Sequence, residues 1–387
     1  MKFWPLLWSN LRRRKARTLF TFLSVVVAFV LFGYLAAVRV AFRAGVDVAG
    51  ADRLFVTRKT SIIQPLPKAY QEQIARVPGV VLATHANWFG GIYQNPNTGF
   101  QGVFQGPVEP ERYLEMYPEF LLPEEQKRAW LEDQQGVIVG RKTARRYGWK
   151  VGDRVPIQAT IWRQKDGSRT WEFNVRGIYD AAHKGVDTTQ FLFHYDYFDE
   201  ARFYGQGLVG WYIVRIADPA QAAEIGGQID QLFQNSRAET KTVTEKALAQ
   251  SFADQIGDIG EIIAWILAAV FFTLLVVAGN TMAQSVRERT NELAVLKTVG
   301  FTNRAVLGLV LAESCLIALV GGVLGLGLGA LAIEAGDPTG GFLPVFYFPG
   351  RDVALGALYV LALGFAAGLV PALQAMRMRI ADALRRV

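Results

Sequence analysis

Four apolar runs, each long enough to cross a roughly 30 Å hydrocarbon core as a helix of about 20 residues, constrain this chain more than any other feature. They are Thr18–Val38, Ile262–Met282, Ala305–Ile333 and Val353–Met376, and Glu313 is the one charge inside them. More than 200 residues of ordinary globular composition separate the first run from the second. With 51% hydrophobic and 19% charged residues, the chain is too apolar for disorder and too charged to be membrane helix throughout. The fold class read from this pattern is an α-helical membrane protein with four transmembrane helices. A large α+β domain, periplasmic by the charge argument below, is inserted between the first and second spans.

Lys2, Arg12, Arg13, Arg14, Lys15 and Arg17 precede the first run, as basic residues precede the core of a signal peptide. That core is only about 7–15 residues long, and no pair of small residues stands at cleavage spacing before Arg39, so the run is expected to stay as an anchor. Orientation follows from where basic residues lie. Residues 1–17, 283–304 and 377–387 hold 14 basic and three acidic residues, a net +11, which leaves −4 for the rest of a chain of total +7. Both termini and the 283–303 loop are therefore expected in the cytoplasm. The basic balance reports topology and contact with membrane lipid, and nucleic acid is not an expected partner. Cys315, the sole cysteine, sits in the third run, so the external domain must fold on its hydrophobic core without a disulfide.

These signals divide the chain into an N-terminal interfacial helix (1–17), a first span (18–41), an external domain (42–258) and a second span (259–282). A coupling helix and loop (283–303), a third span (304–333), an external loop (334–352), a fourth span (353–376) and a cytoplasmic tail (377–387) follow. Phe3, Trp4, Leu7, Trp8 and Leu11 recur at helical spacing, which suits headgroup depth; an irregular tail is the alternative. Val40–Val48 and Val243–Glu261 read as a helical stalk, the second with an apolar stripe at Leu248, Phe252, Ile256, Ile259 and Ile263. Within the domain, Leu54–Val56, Val80–His85, Trp211–Ile216 and Thr240–Val243 read as strands, with helices over Pro67–Ala75 and Pro219–Phe233. Both ends of the insertion thus build one α+β subdomain, and a β-rich subdomain over about 109–204 is expected inside it.

The stretch Gly136–Thr143, GVIVGRKT, resembles a phosphate loop only in outline, because three residues separate its glycines and Arg141 stands where lysine is required. Asp180, His183, Asp187, His194 and Asp196 lie close in sequence but at no metal-ligand spacing, so a polar loop is the expectation and no metal site is assigned. No nucleophile has a neighbouring base, and neither catalysis nor a bound cofactor is expected on this chain.

Inside the membrane, Gly321, Gly325 and Gly329 remove side chains from one helical face, widened by Gly322 and Gly327, and Gly364 and Gly368 repeat the spacing in the last span. Both sets suit close helix packing, within the chain or between subunits. Glu313 must face protein, since a charge facing lipid costs several kcal/mol. The loop QSVRERTNELAVLKTVGFTN, Gln284–Asn303, reads as a short helix stopped at Gly300, with Thr302 capping the next. Leu293, Leu296 and Val299 fall together in this reading, apart from Arg287, Glu288 and Glu292. The helix could lie on the membrane, fill a partner's groove or serve as a solvated connector.

At this loop the chain resembles the MacB and FtsX superfamily of ABC transporter permeases. The likeness rests on the Arg-rich lead Asn10–Thr21, on ERTNELAVLKTVG, and on Glu313 before the glycine-rich Gly321–Gly329. It rests further on Pro371–Arg385 with its Ala-Leu-Arg ending and, in the external domain, on VIVGRKTARRYGWKVGDRVPI and VRGIY. The resemblance implies a multi-pass bacterial inner-membrane permease working as a homodimer or with a related permease. It implies a pair of ABC ATPase subunits as partner, with ATP and Mg on those subunits. Coupling would run through the Gln284–Gly300 helix, with Arg289, Glu292, Leu293, Leu296, Lys297 and Gly300 as its site. Mechanotransmission to the periplasmic domain would then drive export or extraction, with a periplasmic adaptor and outer-membrane duct as further partners. A ten-span relative is excluded by the span count. The length of the external domain favours a transporter over the alternative, an FtsX-like regulator of a periplasmic hydrolase.

Overall fold

The computed structural model describes residues 15–48, 50–93, 104–255, 259–336, 343 and 345–378. The aromatic N-terminal segment and the end of the basic tail lie outside these, as do the side chains of Phe252, Ile256 and Ile259 in the stalk stripe. The chain forms two compact units. One gathers residues 1–40, 258–336 and 346–387; the other gathers 41–257 and 337–345.

The first unit is a helix bundle. Its long helices are Lys15–Val48, whose last turns belong to the other unit, Ile259–Glu288, Asn303–Glu334 and Gly350–Arg377. Each contains a stretch long and apolar enough to cross a membrane. Val25, Phe29, Phe32, Leu274, Leu326, Val360 and Leu363 fill its interior, with Phe29 set edge-on to Phe271 at 5.4 Å. Phe20, Trp265, Phe272 and Leu331 stay at least 65% exposed on its outside. That distribution would penalise a bundle in water and suits one whose solvent is lipid. Pro371 lies inside the last helix, which continues to Arg377, and offers no N–H to the Ala367 carbonyl.

The second unit is an α+β domain on one twisted sheet. In chain order the strands are β1 (Arg53–Arg58), β2 (Leu66–Pro67), β3 (Val80–Ala86), β4 (Gly91–Ile92), β5 (Gln105–Val108), β6 (Phe120–Leu121) and β7 (Gly136–Gly140). β8 (Arg154–Ala159), β9 (Thr170–Ala181), β10 (Phe191–His194), β11 (Leu208–Val209), β12 (Trp211–Ile216) and β13 (Thr240–Thr244) complete them. The order across the sheet is β13-β1-β12-β3-β5-β10-β7-β9-β8-β4, with β6 on β9 and a separate β11-β2 pair. The terminal strands meet as the sequence suggests, β1 lying antiparallel between β12 and β13. The 109–204 segment, expected as a subdomain of its own, instead extends the same sheet. β5, just before it, pairs with β3 through Ala86 and Val108 and runs parallel to β10. One core crosses the whole width, from Leu54 and Val214 to Phe89, Trp171, Phe173 and Phe193.

Candidate coupling site

The helical hydrogen bonding of Ile259–Glu288 continues six residues past the apolar run and stops at Arg289, whose φ/ψ of −108°/16° leaves the helix. A separate helix, Thr290–Thr298, then begins. It ends at Gly300, whose φ of +105° favours glycine, and Thr302 caps the third membrane helix through Ala305 N–H at 3.2 Å.

Two side chains fasten the short helix to the bundle. Leu293 is 1% exposed among Met282, Val286, Val306, Val310, Ala372 and Ala375, with Leu296 packed beside them. Lys297 donates from Nζ to the carbonyls of Met376 and Met378, both at 2.9 Å, at the end of the last helix. Burial lowers its pKa from the ordinary value. Val299, grouped with Leu293 and Leu296 by the sequence, lies elsewhere: it is 75% exposed and shares the outer face with Val295 and Glu292. At about 100° per residue, six positions carry Val299 roughly 120° around the axis from Leu293, and it stands just past Thr298, the last helical residue.

Glu313 faces protein. It accepts from Arg289 Nη1 at 2.8 Å, and Arg289 Nε stands 3.6 Å from Glu292. Arg17 at the start of the first span bonds Glu288 at 2.7 Å. These residues, with Thr18, Thr21, Thr281 and Ser285, line a polar cavity of about 200 Å³. A buried ion pair of this kind is costly to break from one side, because the remaining charge stays desolvated.

The glycines divide between two helix contacts. A methyl on Gly325 would come within 2.6 Å of the Val26 carbonyl and one on Gly321 within 2.9 Å of Val25, while Gly329 lies against Val30. That stripe seats the first span. Gly364 and Gly368 seat the third helix instead, against Cys315, Ala318 and Ser314, and Ser314 Oγ donates to the Gly364 carbonyl at 2.8 Å. Gly322 faces Val360, whereas Gly327 meets nothing, so the two do not widen one bare surface.

In the domain, the GVIVGRKT glycines serve packing. Gly136–Gly140 is a buried strand, and a methyl on Gly140 would overlap the Thr188 carbonyl. The acidic and histidine residues near it have separate partners: Asp180 binds Arg141, Asp187 the Thr189 hydroxyl, His194 the Trp130 carbonyl and Asp196 Lys68. Among the described residues no three His, Cys, Asp or Glu side chains gather as a metal site.

Residues 18–232 match the family model of the MacB-like periplasmic core domain, and residues 262–380 that of the FtsX-like permease C-terminal region. The chain belongs to the MacB and FtsX family of ABC transporter permeases. It is 23% identical to an uncharacterized ABC transporter permease of Methanocaldococcus jannaschii, over 98% of this chain and 96% of that one. It is 33% identical over 126 residues to the macrolide export ATP-binding/permease protein MacB of Nitrobacter winogradskyi, which covers 31% of this chain and 19% of that protein. The crystal structure of the periplasmic region of MacB from Actinobacillus actinomycetemcomitans superposes with a TM-score of 0.39 at 11% identity, over 53% of this chain and 94% of that one. With four helices apolar enough to cross a membrane and a match to the periplasmic core domain over 18–232, this permease is a membrane protein with a periplasmic domain.

Proposed function

We propose that this chain is the membrane subunit of an ABC transporter whose ATPase pair is a separate polypeptide. The ATPase docks on the Thr290–Thr298 helix and, through it, drives the periplasmic domain to export or extract a substrate. The observation that carries this reading is the two-sidedness of that helix. Leu293 and Lys297 lock one face to the second, third and fourth membrane helices, and the other face offers Glu292, Val295 and Val299. A push on the outer face reaches the bundle without a flexible element between. The clustered basic residues support a cytoplasmic position for this helix and both termini. ATP and Mg would belong to the partner, and a second permease copy would complete the assembly. The MacB-like domain over 18–232 supports transport above hydrolase regulation.

The test is copurification with the ATPase, with ATP turnover measured in membranes. Val295→Glu/Val299→Glu and Glu292→Arg should each weaken ATPase binding at least tenfold and leave the periplasmic fold intact. Wild-type binding and turnover in both would remove this helix from the mechanism.

A further inference from the structure

Two segments carry the chain into and out of the domain: the end of the first membrane helix at Val48, and the helix Glu245–Gln255 that precedes the second. They meet at one carboxylate. Glu245 Oε2 accepts the Gly50 N–H at 2.8 Å and Arg53 Nε at 2.5 Å, and Oε1 accepts the Tyr117 hydroxyl at 3.2 Å. Gly50 lies two residues past the first helix, Arg53 opens β1, and Glu245 opens the returning helix directly after β13.

Arg53 extends the junction into the domain. Its Nη1 binds Glu119 at 2.9 Å and the Met116 carbonyl at 3.3 Å, and its guanidinium lies 4.5 Å over the Tyr117 ring. The side chains of Arg53, Glu119 and Glu245 are 9, 15 and 17% exposed, so salt screens them little. Burial alone would lower the Arg53 pKa, but Glu245, Tyr117 and Glu119 together hold the group above its ordinary value. Beside the junction, Leu54 pairs with Thr244.

We propose that Glu245 and Arg53 clasp the two membrane-connecting segments to each other and to the 116–119 segment, so that both segments hand motion to the domain as one body. The role of Arg53 and Glu245 is positioning. It requires that the helices be driven from the Thr290–Thr298 end, as proposed above. A purely structural ion cluster could be exchanged for apolar residues of similar size without loss of stability. A clasp so exchanged keeps the fold and loses directional bonds between the segments.

The decisive variant is Arg53→Met/Glu119→Gln/Glu245→Met, which leaves no charge buried alone, in a Cys315→Ala background. The permease is assembled with its ATPase pair in lipid nanodiscs, and spin-label distances are read with and without ATP and vanadate. One label pair, at Ala51 and Lys246, spans the two segments; the other, at Lys150 and Glu334, reports on the driven domain. In the wild type the first distance should not change with nucleotide and the second should shift. In the variant the first distribution should broaden about twofold on nucleotide addition, and the shift of the second should fall by at least half. Amide exchange of β1 and β13 should be unaltered. Wild-type behaviour of both pairs in the variant overturns the clasp. Absence of any nucleotide shift in the wild type overturns the driven-helix reading and the clasp with it. If the triple variant does not fold, Glu245→Gln, whose single acceptor oxygen cannot serve both Gly50 and Tyr117, is read the same way.

Discussion

The two units differ in what makes their closest contacts. In the bundle, contact is made where side chains are missing: Gly321, Gly325, Gly364 and Gly368 bring backbones together. In the domain it is made where side chains are largest, with Phe89 edge-on to Trp171, Phe173, Phe193 and Phe198 at 5.1–6.1 Å. Solvent explains the difference. Water drives an aromatic ring into a core at about 25 cal/mol per Å² of apolar surface, so size is an advantage. Lipid gives no such drive, and helices gain by approaching closely enough for dispersion and polar backbone contacts.

Added bulk should therefore harm the bundle most. Gly325→Leu should abolish assembly of a monodisperse protein in detergent, while Gly327→Leu, two residues away with nothing within 4 Å, should behave as wild type. Equal elution profiles for the two would break the contrast. Removed bulk should harm the domain. Phe89→Ala should cost about 3–5 kcal/mol in denaturant unfolding of the domain with helical content of the bundle unchanged.

Charge effects rank lower. Glu313→Gln should destabilise the bundle by about 1–3 kcal/mol, since Arg289 loses its buried charge partner, and Arg289→Met/Glu313→Met should recover part of the loss in thermal unfolding. The smallest expected effect at pH 7, though one that grows in acid, concerns His85, which is 2% exposed and whose pKa burial depresses from 6.5 to about 3. The unfolded chain binds a proton below about pH 6.5 and the folded one does not until about pH 3. This contribution is thus complete above 6.5 and lost as pH falls through that window, by up to about 1.4 kcal/mol per pH unit. Hydrogen exchange of β3 should show it, with a shallower pH slope in His85→Gln.

Much of this was legible in the sequence where the signal is local. Span lengths, Trp211–Ile216 as a strand and Gly300 as a helix stop all depend on neighbours in the chain. What escaped depends on partners far away. Nothing near Val108 announces Ala86, and Glu245 reads as an ordinary acidic residue in a helix's first turn although it binds Gly50 and Arg53 nearly 200 positions earlier. The outward turn of Val299 escaped for a different reason: it lies six positions and so roughly 120° around the axis from Leu293, at the cap where the helix has ended.

The placement of β1 has a consequence for biosynthesis. Its two neighbours in the sheet, β12 and β13, are the last strands of the domain to be made, so β1 crosses the membrane with both edges unpaired. Roughly 150 residues must follow before β12 emerges, which at about 5–20 residues per second of synthesis is on the order of ten to thirty seconds. Throughout that interval the growing domain presents an open edge strand, the form of backbone most prone to pairing with the wrong chain. Production of this permease should therefore draw on whatever holdase chaperones wait outside the membrane, and slow translation upstream of Trp211 should lower its yield more than slow translation after Thr244.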